Sequence, residues 1–185
     1  MSLTMTDLPL SGLKRVRRAL LADERGVFSR VFCAEELAPA GWHGPVVQIN
    51  HSITRQRGTV RGLHYQRAPH AEMKLVSCIR GEVWDVVVDL RAGSPTFLQW
   101  HAELLRATEG AAVLIPAGFA HGFQILSDEA ELIYCHSVPY VPTAEAGLHV
   151  SDARLAIGWP LPPRGLSPRD AGFARLSPDF EGVKL

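Results

Sequence analysis

Four short stretches carry residue types that could do acid–base chemistry. His64 lies in GTVRGLHYQ, and Lys74 follows a proline-punctuated turn in AEMKLVSCI. Asp85 stands in EVWDVVVDL, and His121 falls near the end of IPAGFAHGF. An imidazole, with an ordinary pKa of about 6.5, suits a general base at neutral pH. A lysine nearby offers a fixed positive charge. Each residue also has a plainer reading. A histidine can be a satisfied core residue, and Lys74 can run its stem along an edge with its ammonium in water.

The elements that must hold these residues read as strands. Val27 to Phe32, Val46 to Thr54, Val60 to Gln66, Met73 to Ile79 and Glu82 to Leu90 are apolar or alternating runs. An alternating piece within Pro95 to Leu104, then Ala112 to Ile115, Phe119 to Leu126 and Glu131 to Val138, continues the series. Gly81, Gly93, Gly110 and Gly118 punctuate it at loop spacing, with one helical turn predicted over Cys33 to Ala38. Many short strands without a long 3.6-residue period predict an all-β sandwich or barrel. In the strand from Val46, the pleat puts Gln48, Asn50 and Ser52 on one face and Val47, Ile49, His51 and Ile53 on the other. The amide-bearing face needs either solvent or a polar ligand.

The flanks differ from this centre. The basic cluster Lys14 to Arg18 reads as a solvated face of a short N-terminal extension. From Pro139 onward prolines accumulate, and residues 141–185 read as a wrapping tail with short helical turns. Residues 1–185 thus form one domain with its core at about 23–140, since the tail lacks the apolar periodicity for a core of its own.

Composition narrows the partners. Lys+Arg and Asp+Glu number 19 each, so no overall field draws the chain to nucleic acid or to a membrane surface. No apolar run approaches the ~18 residues of a membrane span. The three cysteines, Cys33, Cys78 and Cys135, are scattered and lack metal-site spacing, which predicts free thiols in a reducing cytoplasm.

Spacing then adds a resemblance. Gly58, His64, Gln66 and Gly81 resemble the first motif of the cupins, and Gly110, Pro116-Ala117-Gly118 and His121 resemble the second. A metal-binding cupin would place a histidine where Gln66 stands, and the Lys74 ammonium would repel a cation. A metal-free cupin without cofactor is therefore the expectation. RGLHYQ, MKLV, GEVWDVVVDLR with GSPTF, IPAGFAHGF, AELIYCHS, Tyr140-Val141-Pro142 and LSPRD, in this order, resemble the dTDP-4-dehydrorhamnose 3,5-epimerase family from about Asp23 to Asp170.

That resemblance implies a cupin-type jelly roll, a homodimer, and a dTDP-4-keto-6-deoxysugar substrate epimerised at C3, C5 or both. It implies His64 as base with Asp170 orienting it, Lys74 at the enolate oxygen, and Tyr134 as proton donor. Asp85 remains a rival partner for His64. Arg25, Gln48, Asn50, Arg61, His121, Glu145 and Arg169 match the family's substrate contacts. Strict alternation puts Arg61 and His64 on opposite faces, so Gly62 must bulge or Arg61 must serve a partner's site. The chain departs from the family at Arg30, where Glu is usual, at Val150, where Trp is usual, and at Ala153, where Pro is usual. A mono-epimerase on another dTDP-deoxysugar and a non-catalytic nucleotide-sugar-binding cupin are the alternatives.

Overall fold

The computed structural model describes residues 2–185, all but Met1. In chain order the first strands are β1 (Leu3–Asp7), β2 (Lys14–Arg18), β3 (Leu21–Asp23) and β4 (Gly26–Phe28). One helical turn, α1 (Ala34–Leu37), precedes β5 (Gln48–Arg55), β6 (Val60–Gln66), β7 (Lys74–Arg80) and β8 (Glu82–Asp89). Then come β9 (Trp100–Arg106), β10 (Ala111–Ile115), β11 (Phe119–Ile125), β12 (Glu129–His136), β13 (Glu145–Gly147) and a last turn, α2 (Pro168–Ala171).

Two antiparallel sheets face each other, ordered β1-β2-β10-β7-β12-β5 and β13-β6-β11-β8-β9, while β3 and β4 form a separate hairpin. From β5 to β13 successive strands alternate between the two sheets, apart from the hairpin β8–β9, which is the jelly-roll solution to closing a sandwich. The cause is visible in β8. Val83 and Val87 point between the sheets and join Val76, Val113, Phe119, Phe123 and Leu132 in the inner core. Val86 and Val88 point outward, where Leu148, Leu155 and Leu176 of the tail cover them. A strand buried on both faces reads as a continuous apolar run, hence the three successive valines. A third cluster sets Leu37 and Trp42 from the α1 region over Val16, Leu75, Leu114 and Cys135 on the outside of the six-stranded sheet.

Three expectations about the flanks need correction. The N-terminal segment supplies two strands of the larger sheet. The basic cluster is β2, paired on one side with β1 and on the other with β10. Its Val16 is buried, Arg15 pairs with Glu103, and Arg18 reaches the Cys78 carbonyl at 3.5 Å. The charges there sit on a strand already used for hydrogen bonding, so local polarity misled. The strand expected over Val27 to Phe32 ends at Phe28, and Phe32 instead meets Trp42 edge-on at 5.2 Å. The tail is more than a wrapping: β13 pairs with β6.

The bulge anticipated at Gly62 exists. Between β11 and β6, His121 faces His64 while Phe123 faces Arg61, so two steps on one strand match three on the other. Gly62 has φ +130°, and a Cβ there would lie 2.5 Å from the Gly122 Cα. Gly62→Ala is therefore expected to cost at least about 2 kcal/mol in urea unfolding, the backbone term alone being about 1–3 kcal/mol. An unchanged midpoint would show that the bulge tolerates a side chain.

Candidate active site

A cavity of about 730 Å³ opens between the sheets. Strands β5, β7 and β12 of the larger sheet form one wall, and β6 and β11 of the smaller form the other, with the tail at the rim. The pleat explains the lining. Gln48, Asn50 and Ser52 alternate inward on β5, Tyr134 and His136 do so on β12, and the bulge turns both Arg61 and His64 toward the cavity. The amide face of β5 looks into this cavity.

His64 is tied to the tail. Its Nε2 lies 2.9 Å from Asp170 Oδ1, and the Gly62 N–H donates to Asp170 Oδ2 at 3.2 Å. Asp170 sits in α2, whose Ser167 cap accepts from the Asp170 N–H at 3.1 Å. Burial alone would raise this carboxyl. The hydrogen bond and charge of His64, with Gly62 and Ser167, outweigh it and hold Asp170 well below the usual carboxylate range. The carboxylate accepts from the ring N–H at Nε2, which leaves Nδ1 as the basic nitrogen. Phe173 meets the ring edge-on at 5.7 Å. The rival, Asp85, is elsewhere: its Oδ2 is 2.8 Å from Nε2 of His121, and both residues are buried.

The opposite wall carries the other chemistry. Lys74 is buried, with Nζ 2.8 Å from Glu72 Oε1 and 3.5 Å from the His64 carbonyl oxygen. Gln66 donates to Glu72 Oε2 at 3.0 Å and accepts from the Val141 N–H at 2.6 Å, so its amide is committed to structure. Tyr134 Oη lies 3.1 Å from Ser52 Oγ, and burial pushes its phenol up, so it keeps its proton. Its ring meets His121 edge-on at 6.1 Å and stacks on His136 at 6.2 Å. Burial, then the Lys74 charge, pushes His136 down to about 4, so this imidazole is neutral.

Of the positions matched to substrate contacts, Gln48, Asn50, Arg61, His121, Glu145 and Arg169 line the cavity with His64, Lys74 and Tyr134. Arg169 bonds Glu145 at 2.8 Å, and Arg61 donates to Thr54 at 2.8 Å. Asp170 stands behind His64. Arg25 does not belong to the chain's own cavity. It rides the exposed β3–β4 hairpin, its side chain 84% exposed and paired with Asp23, because that hairpin joins neither large sheet. Among the departures, Arg30 pairs with Glu36, and Val150 is buried with its carbonyl accepting from Trp159 Nε1. Sequence reasoning missed His136 and Glu72. The i, i+2 spacing of Tyr134 and His136 was the signal for the first. Among the described residues, no group of three or more His, Cys, Asp or Glu is placed to hold a metal ion.

The model of the dTDP-4-dehydrorhamnose 3,5-epimerase family matches residues 7–178. The chain belongs to that family. A dTDP-4-dehydrorhamnose 3,5-epimerase of Sinorhizobium fredii is 38% identical over 96% of this chain and 93% of its own length. A dTDP-4-dehydrorhamnose 3-epimerase of Streptomyces niveus is 42% identical over 88% of this chain and 79% of its own. Among solved structures, the dTDP-6-deoxy-D-glucose-3,5-epimerase of Legionella pneumophila, in complex with dTDP-4-keto-L-rhamnose, superposes with a TM-score of 0.91 at 37% identity, covering 99% of both chains. The family fold is the cupin-type jelly roll described above.

The depressed His136 has a consequence for stability. The unfolded ring takes a proton below about pH 6.5 while the folded one resists until about pH 4. The contribution of His136 to stability is therefore level above pH 6.5 and falls as pH drops between these values, by up to about 3 kcal/mol. Urea unfolding of His136→Phe against the parent is expected to show a difference that changes across this window. Parallel pH curves would refute it.

Proposed function

We propose that the chain is a cofactor-independent isomerase that epimerises a dTDP-4-keto-6-deoxyhexose at C3, C5 or both. The observation that carries this is the placement of a base and an acid on facing sheets. His64, backed by Asp170, is on β6, and Tyr134 is on β12 across the cavity. Inverting a carbon next to a ketone needs a proton removed from one face and another delivered to the opposite face. Nδ1 of His64 takes the α proton, and the C–H electron pair moves into an enolate whose oxygen develops negative charge. Lys74 stabilises that oxygen. The Tyr134 phenol, kept protonated by burial, then protonates the other face of the carbon. Arg61 and Arg169 offer planar guanidinium groups to the diphosphate.

The Streptomyces niveus relative is named a 3-epimerase, which supports single-site inversion as the second reading. A binding module without catalysis has no use for a depressed carboxylate behind a base and a protonated acid facing it.

The working unit is a homodimer in a reducing cytoplasm. Supporting the compartment, all three cysteines are unpaired. Supporting the dimer, β5 is a sheet edge with Ile49 65% and Ile53 45% exposed, and Val47 just before it is 47% exposed. The β3–β4 hairpin exposes Val27 64% and Phe28 63% as well. A second copy covering these residues would also give Arg25 a cavity to serve, that of the partner. Sedimentation of the parent is expected to give twice the monomer mass, and Ile49→Asp with Phe28→Asp a monomer. A monomeric parent would sink the dimer.

The test of the reaction is solvent deuterium incorporation into a dTDP-4-keto-6-deoxyglucose, with product stereochemistry followed in the same NMR tube. His64→Asn is expected to lose exchange by on the order of 10²-fold or more. Tyr134→Phe is expected to keep hydrogen wash-out while forming inverted product at least about tenfold more slowly. Full exchange in His64→Asn would overturn the base assignment. Wild-type rates of both signals in Tyr134→Phe would reduce that ring to packing.

A further inference from the structure

His136 is a cavity imidazole that the reaction above leaves unused and that, unlike His51, His64 and His121, has no carboxylate partner among the described residues. Its environment determines where its proton sits. The backbone N–H of Tyr140 donates to Gln48 Oε1 at 2.9 Å. A backbone amide can only donate, so that oxygen is an acceptor and the other end of the Gln48 amide, Nε2, is a donor. Gln48 Nε2 lies 3.0 Å from Asn50 Oδ1, which orients the Asn50 amide in turn. Asn50 Nδ2 lies 3.3 Å from Nε2 of His136. A donor facing Nε2 requires a lone pair there, so the neutral ring carries its proton on Nδ1. Among the described residues no hydrogen-bond partner meets Nδ1, while the ring itself lines the cavity.

The ring is also placed for the reacting oxygen. His136 is the register partner of Lys74 on the adjacent strand β7 and stacks on Tyr134, the proposed acid. Burial and the Lys74 charge keep it from ionising. A second ammonium-like charge beside Lys74 would be repelled, whereas a neutral N–H adds a donor without that cost. Charge developing on an oxygen is best met by preorganised donors in a site of low dielectric.

We propose that His136 is a further catalytic residue, donating from Nδ1 to the C4 oxygen of the bound keto-sugar beside Lys74. The tautomer is set by the directed chain from Tyr140 through Gln48 and Asn50. This assignment rests on the reading of the cavity as a 4-keto-sugar site. The chain of amides stands apart from it.

Two measurements test it. Long-range proton–nitrogen NMR on the ¹⁵N-histidine-labelled protein at pH 7 is expected to show His136 neutral with its proton on Nδ1. A proton on Nε2, or an imidazolium, overturns the proposal. Kinetics then follow in two variants. His136→Phe keeps a ring on Tyr134 without a donor, and its kcat is expected to fall by on the order of 10²-fold while dTDP affinity stays within about twofold. His136→Asn, whose side-chain nitrogen falls near Nδ1, is expected to recover at least about tenfold of that loss. Wild-type turnover in His136→Phe, or no recovery in His136→Asn, overturns the role. If the unmutated enzyme itself exchanges no hydrogen with a dTDP-4-keto-6-deoxysugar, the parent reading fails and the C4-oxygen assignment with it. In that case the NMR result still decides the amide chain.

Discussion

One hydrogen-bonded pair, His64 with Asp170, joins residues 106 positions apart and makes the tail part of the barrel. Asp170 is 2% exposed, and a carboxylate so placed must have its charge met. His64 meets it on one oxygen and the Gly62 N–H on the other. The second bond exists only because Gly62 bulges, and the bulge also brings Arg61 round to the cavity side. Strand irregularity, carboxylate burial and imidazole tautomer are thus one constraint. The tail from β13 to α2 follows from it. Its apolar residues Leu148, Leu155 and Leu176 cover the outward valines of β8 and hold α2 at the distance the pair requires.

Two of the cavity histidines with carboxylate partners, His64 and His121, are not equivalent, and their surroundings show why. His121 and Asp85 are both buried against the inner core, with Asp85 Oδ1 left without a hydrogen-bond partner. His64 keeps a quarter of its side chain exposed toward the cavity. Access, rather than the identity of the pair, distinguishes a group able to reach a substrate carbon from one that fixes the floor beneath it. Lys74 follows the same logic. Its ammonium is held by Glu72, itself fixed by Gln66, so a flexible cation becomes a positioned one.

Much of this was legible in the residues. The strands β5 to β8 and β10 to β12 were readable because alternation or doubly buried valine runs are local signals, and the His64 and His121 motifs lie on them. What failed was whatever depended on distant partners. Lys14 to Arg18 looked like a solvated face, since nothing nearby announces that β10 will pair with it. The choice between Asp85 and Asp170 for His64 could not be made along the chain, because Asp85 is on the strand beside β11 and its carboxylate is claimed by His121 across that pairing. Arg25 matched a family contact by position, yet nothing along the chain announces that the β3–β4 hairpin joins neither large sheet and stands away from the cavity. His136 was hidden for another reason: only the β12–β5 register, which places it against Gln48 and Tyr134 against Asn50, shows its neighbours.

Desolvation works in two directions on one strand. On Tyr134 it penalises the phenolate, so the proton stays on oxygen. On His136, two residues along the same face, it penalises the imidazolium, so the extra proton is kept off and the ring remains a neutral donor. Lys74, with Glu72 as its counter-charge, leaves the single fixed positive charge on this wall beside that neutral ring. A wall with two cations would bind the keto-sugar's oxygen before reaction as well as after. A wall with one fixed cation and neutral donors gains more when charge appears on that oxygen, and only that difference lowers a barrier.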